Sequence, residues 1–165
     1  MLTSIGFLLV RRKAPYQKFD LPLIDQQSLE DIVPLSRYLP LPLQTKYHQK
    51  VAAFLNQIYF KTYHGLTLTH EMKLMIAGHA CLLTLNKGDR HFRKLHSVHI
   101  MPEAFVQEQG QAHGVSHHNV HGVSFENGKV VLAWNATENG AKNHFDGKNV
   151  ALHEFSHQFD QEDGN

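Results

Sequence analysis

His153, Glu154 and His157 form the pattern His-Glu-x-x-His within a stretch, Val150 to Asp160, whose apolar residues recur with helical spacing. At about 100° per residue, His157 lies roughly 40° round a helix axis from His153 and one turn along, so both imidazoles address one point. Two convergent imidazoles begin a site for a divalent cation, and one zinc ion is the cofactor that fits them. Glu154 stands about 100° from His153, where its carboxylate serves as general base on the zinc-bound water without ligating the metal. The chemistry so implied is metal-assisted hydrolysis.

The plain alternative is a surface helix with three solvated polar residues. In a chain with 14 His, the bare pattern arises by chance about once in twenty such sequences. Leu152, Phe155 and Phe159, at i, i+3 and i+7, supply a buried side that would hold the histidines steady. Asp146-Gly147 offers an N-cap for a helix beginning near Lys148. Context therefore favours the metal site.

Other elements must carry this helix. Five prolines, Pro15, Pro22, Pro34, Pro40 and Pro42, break residues 14 to 43 into short turns, with one short helix near Gln27 to Val33. Residues 1–42 thus read as an apolar N-terminal segment followed by a wrapping region, and residues 43–165 as the body of the domain. Val51, Phe54, Leu55 and Ile58 predict a packing helix from about Leu43 to Tyr63, stopped by Gly65. A second helix is expected from Thr69, as N-cap, to about Asn86, and its nearly continuous apolar surface makes it the most buried one.

His96 to Met101 reads as a strand ending at Pro102. Residues 103–118 read as loop. Val120 to Phe125 and Lys129 to Trp134 flank Glu126-Asn127-Gly128, a strong hairpin signal. Asn139-Gly140 and Asp146-Gly147 mark a turn-rich entry to the final helix. The fold class expected is α+β, with helices packed on a small, mostly antiparallel sheet.

Composition narrows the function. Lys plus Arg is 16 against Asp plus Glu 15, and no basic run exceeds Arg11-Arg12-Lys13, so nucleic acid is not an expected partner. Cys81 is the only cysteine. That excludes an internal disulfide framework and fits a reducing, cytoplasmic setting. Met1 to Val10 is apolar yet too short to span a bilayer, so membrane contact is expected only if it is the remnant of an anchor facing the cytoplasm.

Two further histidine groups bear weighing. His79 lies in an apolar helix, where a core histidine with one satisfied hydrogen bond is the expected state. His113, His117, His118 and His121 cluster within a few residues, but their spacing matches no compact zinc pattern, and they read as polar loop residues.

With these residues in view, the chain resembles the zinc metallopeptidases related to Mlc titration factor A. The resemblance rests on His153-Glu154-Phe155-Ser156-His157-Gln158-Phe159-Asp160, on the preceding Asp146 to Val150 and Val130 to Trp134, and on Ile76 to Leu83 and Val98 to Pro102. It covers most of residues 45 to 165. It implies a zincin-like, gluzincin-type peptidase acting on peptides, as an aminopeptidase, with His153 and His157 as ligands and Glu154 as catalytic base. Asp160, about 20° from His153 on the helix, matches the family's acidic position and would orient a ligand imidazole from behind.

The same resemblance puts the third ligand, a glutamate, and an assisting tyrosine further along than Asn165. A C-terminally truncated member is therefore the expectation, with the third ligand beyond the chain end. Asp163, ten positions after His153, is a poor substitute because Asp160 stands where a helix-breaking glycine would be needed. An alternative function implied by the resemblance is non-catalytic: a protein-binding regulator that sequesters a transcriptional repressor.

Overall fold

The computed structural model describes residues 20–87, 92–111, 114–143 and 147–163, with backbone alone over 107–111, 114–119 and 162–163. The apolar N-terminal run, His113 and Asp146, and the side chains of His117, His118 and Asp163, lie outside the described residues. In chain order the elements are α1 (Leu23–Ile32), a 3-10 turn (Pro34–Tyr38), α2 (Leu41–Gln57), β1 (Tyr59–Thr62), α3 (His70–Leu83), β2 (Ser97–Met101), β3 (Phe105–Gln111), β4 (Gly114–Val120), β5 (Gly122–Phe125), β6 (Lys129–Ala133), α4 (Trp134–Lys142) and α5 (Val150–Asp163). No helix among the described residues is long and apolar enough to cross a membrane.

Helix starts follow local chemistry. The Thr69 hydroxyl accepts the Met72 N–H at 3.1 Å, the expected cap of α3. At α5 the cap is Asn149 instead of the Asp146-Gly147 pair: its Oδ1 accepts the Leu152 N–H at 2.9 Å. Asn149 Nδ2 also donates to the Gly140 carbonyl at 3.4 Å, tying α4 to the start of α5. A Cβ on Gly140 would stand 2.4 Å from the Lys148 carbonyl oxygen, so this glycine permits helix-to-chain contact and is not a turn.

Four strands form one sheet in the order β1-β2-β6-β5, and β3-β4 form a separate two-stranded ribbon. The main sheet corrects the antiparallel expectation. β1 pairs parallel with β2 and β2 parallel with β6, leaving only β5 antiparallel to β6. The cause is the connection: α3 carries the chain back across the sheet between β1 and β2, and such a crossover delivers a parallel strand. The hairpin read from Asn127-Gly128 is present as β5-β6, with Gly128 at φ +84°.

One face of the sheet meets the helices. Val98, Ile100, Val130 and Leu132 are fully buried there, with Phe54 of α2, Ile76 and Ala77 of α3, and Phe155 of α5. Leu29 and Val33 join the same core. Phe155 sits between two other rings, its centroid 5.8 Å from Phe54 and 5.4 Å from Phe92. Burying such a side chain contributes about 1.5–3 kcal/mol, and three rings together fix how α5 is rotated on the sheet. His79 is buried and satisfied by one hydrogen bond, Nδ1 to the Met75 carbonyl at 2.9 Å, as a core histidine should be. The buried Cys81 thiol has its pKa pushed up by burial, so it is inert.

Candidate metal centre

Because Phe155 turns inward, His153 and His157 turn outward. Their Nε2 atoms stand 3.1 Å apart, with ring centroids 4.5 Å apart and planes at 86°. Two imidazole nitrogens bound to one tetrahedral zinc, each at about 2.0–2.1 Å, would be about 3.3 Å apart. The pair is thus already set near a chelating separation. Both rings are exposed, and neutral imidazole nitrogens are suitable donors for a borderline-soft cation. The residues present fit the metal.

Glu154 lies on the inner shoulder of the same helix and is 7% exposed. Burial raises its carboxyl pKa above the usual value. The His153 and His157 imidazoles, and a hydrogen bond donated by the backbone N–H of Ser124, pull the other way. The result is a carboxylate more basic than usual, held beside a solvent-accessible site. Space for it comes from Gly122: a Cβ there would approach Glu154 Cγ to 2.5 Å.

Strand β5 is therefore part of the site. It lies at the edge of the sheet, and the His121 carbonyl accepts the Ala133 N–H at 2.7 Å, so His121 bonds inward to the sheet. Strand alternation then turns the N–H and C=O groups of Gly122 and Ser124 toward the open edge, which agrees with the Ser124 N–H reaching Glu154. Between this edge and the start of α5 runs a cleft of about 430 Å³, lined by Val120, His121, Gly122, Val150, His153 and Glu154 among others. Val120 and Val150 make part of its lining apolar, and Glu154 with the His121 and His153 imidazoles makes part of it polar.

The structure places His153, His157 and Glu154 side by side and leaves Asp160 apart. Asp160 is exposed, and among the described residues it makes no hydrogen bond to either imidazole. No third His, Cys, Asp or Glu among the described residues joins the pair. Helix α5 continues unbroken to Asp163, which places that residue's Cα about 15 Å along the axis from His153, away from the site. Of the histidine cluster, His121 is the member with a described side chain, and it stands exposed at the cleft.

Gly122, Ser124 and Gln158 are the residues that reading the motif alone passes over. Gln158 is fully buried, and the Ser124 hydroxyl donates to its Oε1 at 3.3 Å, a second tie between β5 and α5. The available signal was a glycine at the head of an apolar strand, which often marks close approach by another group.

Comparison with known proteins bears on this geometry. A family model described as glucose-regulated metallo-peptidase M90 matches residues 8–165. An uncharacterized protein of Synechocystis sp. is 32% identical over 160 residues, a match that covers 93% of this chain and 58% of that protein. Mlc titration factor A of Klebsiella pneumoniae subsp. pneumoniae is 31% identical over 139 residues, covering 80% of this chain and 51% of its own length. The same-named protein of Klebsiella pneumoniae strain 342 is 32% identical over an equal span. The chain thus spans between 51% and 58% of the length of these relatives. A match running from residue 8 to residue 165 includes both imidazoles, the buried acid and the strand edge beside them, and with it the chain belongs to the M90 metallo-peptidase family, whose chemistry implies a divalent metal.

Proposed function

We propose that the protein is a zincin-like, zinc-dependent metallopeptidase of aminopeptidase type, in which His153 and His157 hold the metal and Glu154 is the general base. One observation carries this reading: two Nε2 atoms 3.1 Å apart, with a buried carboxylate between them and an open strand edge. Bound there, zinc supplies Lewis acidity, polarising the scissile carbonyl and lowering the pKa of the attacking water toward about 7.

Glu154 takes the proton from that water at its carboxyl and passes it to the leaving amine. The Ser124 N–H orients the carboxyl, and burial holds its proton affinity above the usual carboxylate range. A peptide substrate lies in the cleft as an added strand, its backbone bonding to the free N–H and C=O of Gly122. Val120 and Val150 hold an apolar side chain beside it. Asp160 is assigned a part in orienting a ligand imidazole in the loaded site, and the third ligand comes from outside the described residues.

The test is zinc content and hydrolysis in parallel. Wild-type protein should carry one zinc and cleave short peptides, and Glu154→Gln should keep the zinc while losing at least about a thousandfold in rate. Full activity in Glu154→Gln, or activity untouched by complete chelation, refutes the proposal. A second reading, a binding regulator that titrates a transcriptional repressor, draws on the name of two relatives, Mlc titration factor A. Such binding should survive both Glu154→Gln and chelation.

A further inference from the structure

Helices cover one face of the four-stranded sheet, and among the described residues the opposite face carries no large buried side chain. Strand register sets Lys61, His99, Val131 and Val123 in one row across β1, β2, β6 and β5. The adjoining row holds Tyr59, Ser97, Lys129 and Phe125. Tyr59 is 64% exposed, Lys61 is exposed, the small Ser97 is buried and the others are half-buried. Parallel strands are ordinarily covered on both faces, usually by helices, so a face of this composition that no described helix covers is unusual.

Its charge has one sign. None of the four strands contains Asp or Glu. Apart from burial, the influences on His99 are the cations Lys129 and Lys61 and the His96 imidazole, which all disfavour its protonation. The Lys129 ammonium lies 4.3 Å from the Phe125 ring centroid, and that of Lys61 4.9 Å from the Tyr63 ring. The cations are therefore held over the face by its own aromatic rings. Tyr63 also stacks on His99 and bonds its Nδ1 at 2.7 Å. What results is an aliphatic stripe, Val123 and Val131, bordered by fixed positive charge.

We propose that this face docks an acidic amphipathic helix of a partner protein, with its apolar side on Val123, Phe125 and Val131 and its carboxylates along Lys61 and Lys129. Such a helix supplies the missing layer of the sheet and neutralises the cations. The chain's own N-terminal stretch is a poor occupant, because Arg11-Arg12-Lys13 brings like charge. Nucleic acid fits less well, since valines offer no stacking platform for bases. The surface lies on the face opposite the core and is independent of the peptidase reading.

The experiment measures fluorescence anisotropy of a labelled peptide of about 20 residues, with Leu at i, i+3, i+4, i+7 and Glu elsewhere, titrated with the full chain. A Lys-for-Glu version and an oligothymidylate are run beside it. Saturable binding of the acidic peptide is expected, weakening with salt and falling at least about tenfold in the Lys61→Glu/Lys129→Glu variant and in Val131→Asp. Glu154→Gln should bind normally. Thermal melts establish that each variant is folded, and Lys61→Glu alone, at an exposed position, carries the charge test if the double variant is unstable. No saturable binding overturns the proposal, as does equal binding by the charge-reversed protein. Tighter binding of oligothymidylate through the same residues, or a self-associating chain dispersed by the same substitutions, overturns it in favour of nucleic acid or of a second copy.

Discussion

Helices α3 and α5 are each 14 residues long, pack against one another, and both carry histidine. They use it oppositely. In α3, apolar almost all round, His79 is buried and its Nδ1 is satisfied by the Met75 carbonyl one turn back. In α5, only Ala151, Phe155 and their neighbours face inward, so His153 and His157 keep their Nε2 atoms turned to each other and to solvent. The lesson is that the face of the helix, and not the residue type, decides whether an imidazole is a packing element or is left open to an ion.

That contrast can be broken most sharply at its base. Phe155→Ala removes the ring that locks the rotation of α5, and a loss of about 3–5 kcal/mol in unfolding free energy is expected by denaturant titration. His157→Ala should do the reverse, leaving stability within about 0.5 kcal/mol while weakening zinc binding by at least about a hundredfold, equivalent to about 2.7 kcal/mol. A His157→Ala protein that retains wild-type zinc affinity would place the metal elsewhere.

His79→Leu sharpens the other side, because it should leave zinc affinity unchanged and alter the response to acid. Burial lowers the folded-state pKa of His79 below its ordinary 6.5, so the folded protein binds fewer protons there than the unfolded chain. The associated stability is fully present above about pH 6.5 and is lost as pH falls through that value toward the lowered one. His48 and His99, also lowered by burial first, act with the same sign. Melting temperature should therefore drop between pH 7.5 and 5.5, and drop less in His79→Leu. The smallest effects are at the caps, where Thr69→Ala and Asn149→Ala should each cost about 1 kcal/mol. Only Asn149→Ala, by loosening α5, should also slow hydrolysis.

What sequence could reveal follows from how local each feature is. The cap at Thr69, the Asn127-Gly128 hairpin, the core role of His79 and the convergence of His153 with His157 depend on neighbours a few residues away, and all are present. Tyr59 to Thr62 was read as the end of a helix, because its strand identity comes from pairing with β2, 38 residues further along in register (Tyr59 with Ser97). Residues 103–118 read as loop, since glycine, glutamine and histidine carry little strand propensity, yet β3 and β4 pair with each other throughout. Asn139-Gly140 looked like a turn and lies within α4, where the glycine serves a contact with Lys148. The acid at Glu154 was legible, but the strand that makes room for it was not, because that requirement exists only once two distant segments touch.

The hydrogen bond from the Ser124 N–H to Glu154 has one more result. It makes the Glu154 carboxyl a gauge of strand alignment: slide β5 by a single residue and every side chain on it changes face, so Val123 would take the space that Gly122 leaves open. A mispaired molecule would then have neither a lodged carboxyl nor an edge aimed at the cleft. Faulty hairpin pairing during folding should therefore dismantle the candidate site outright instead of leaving it half-formed.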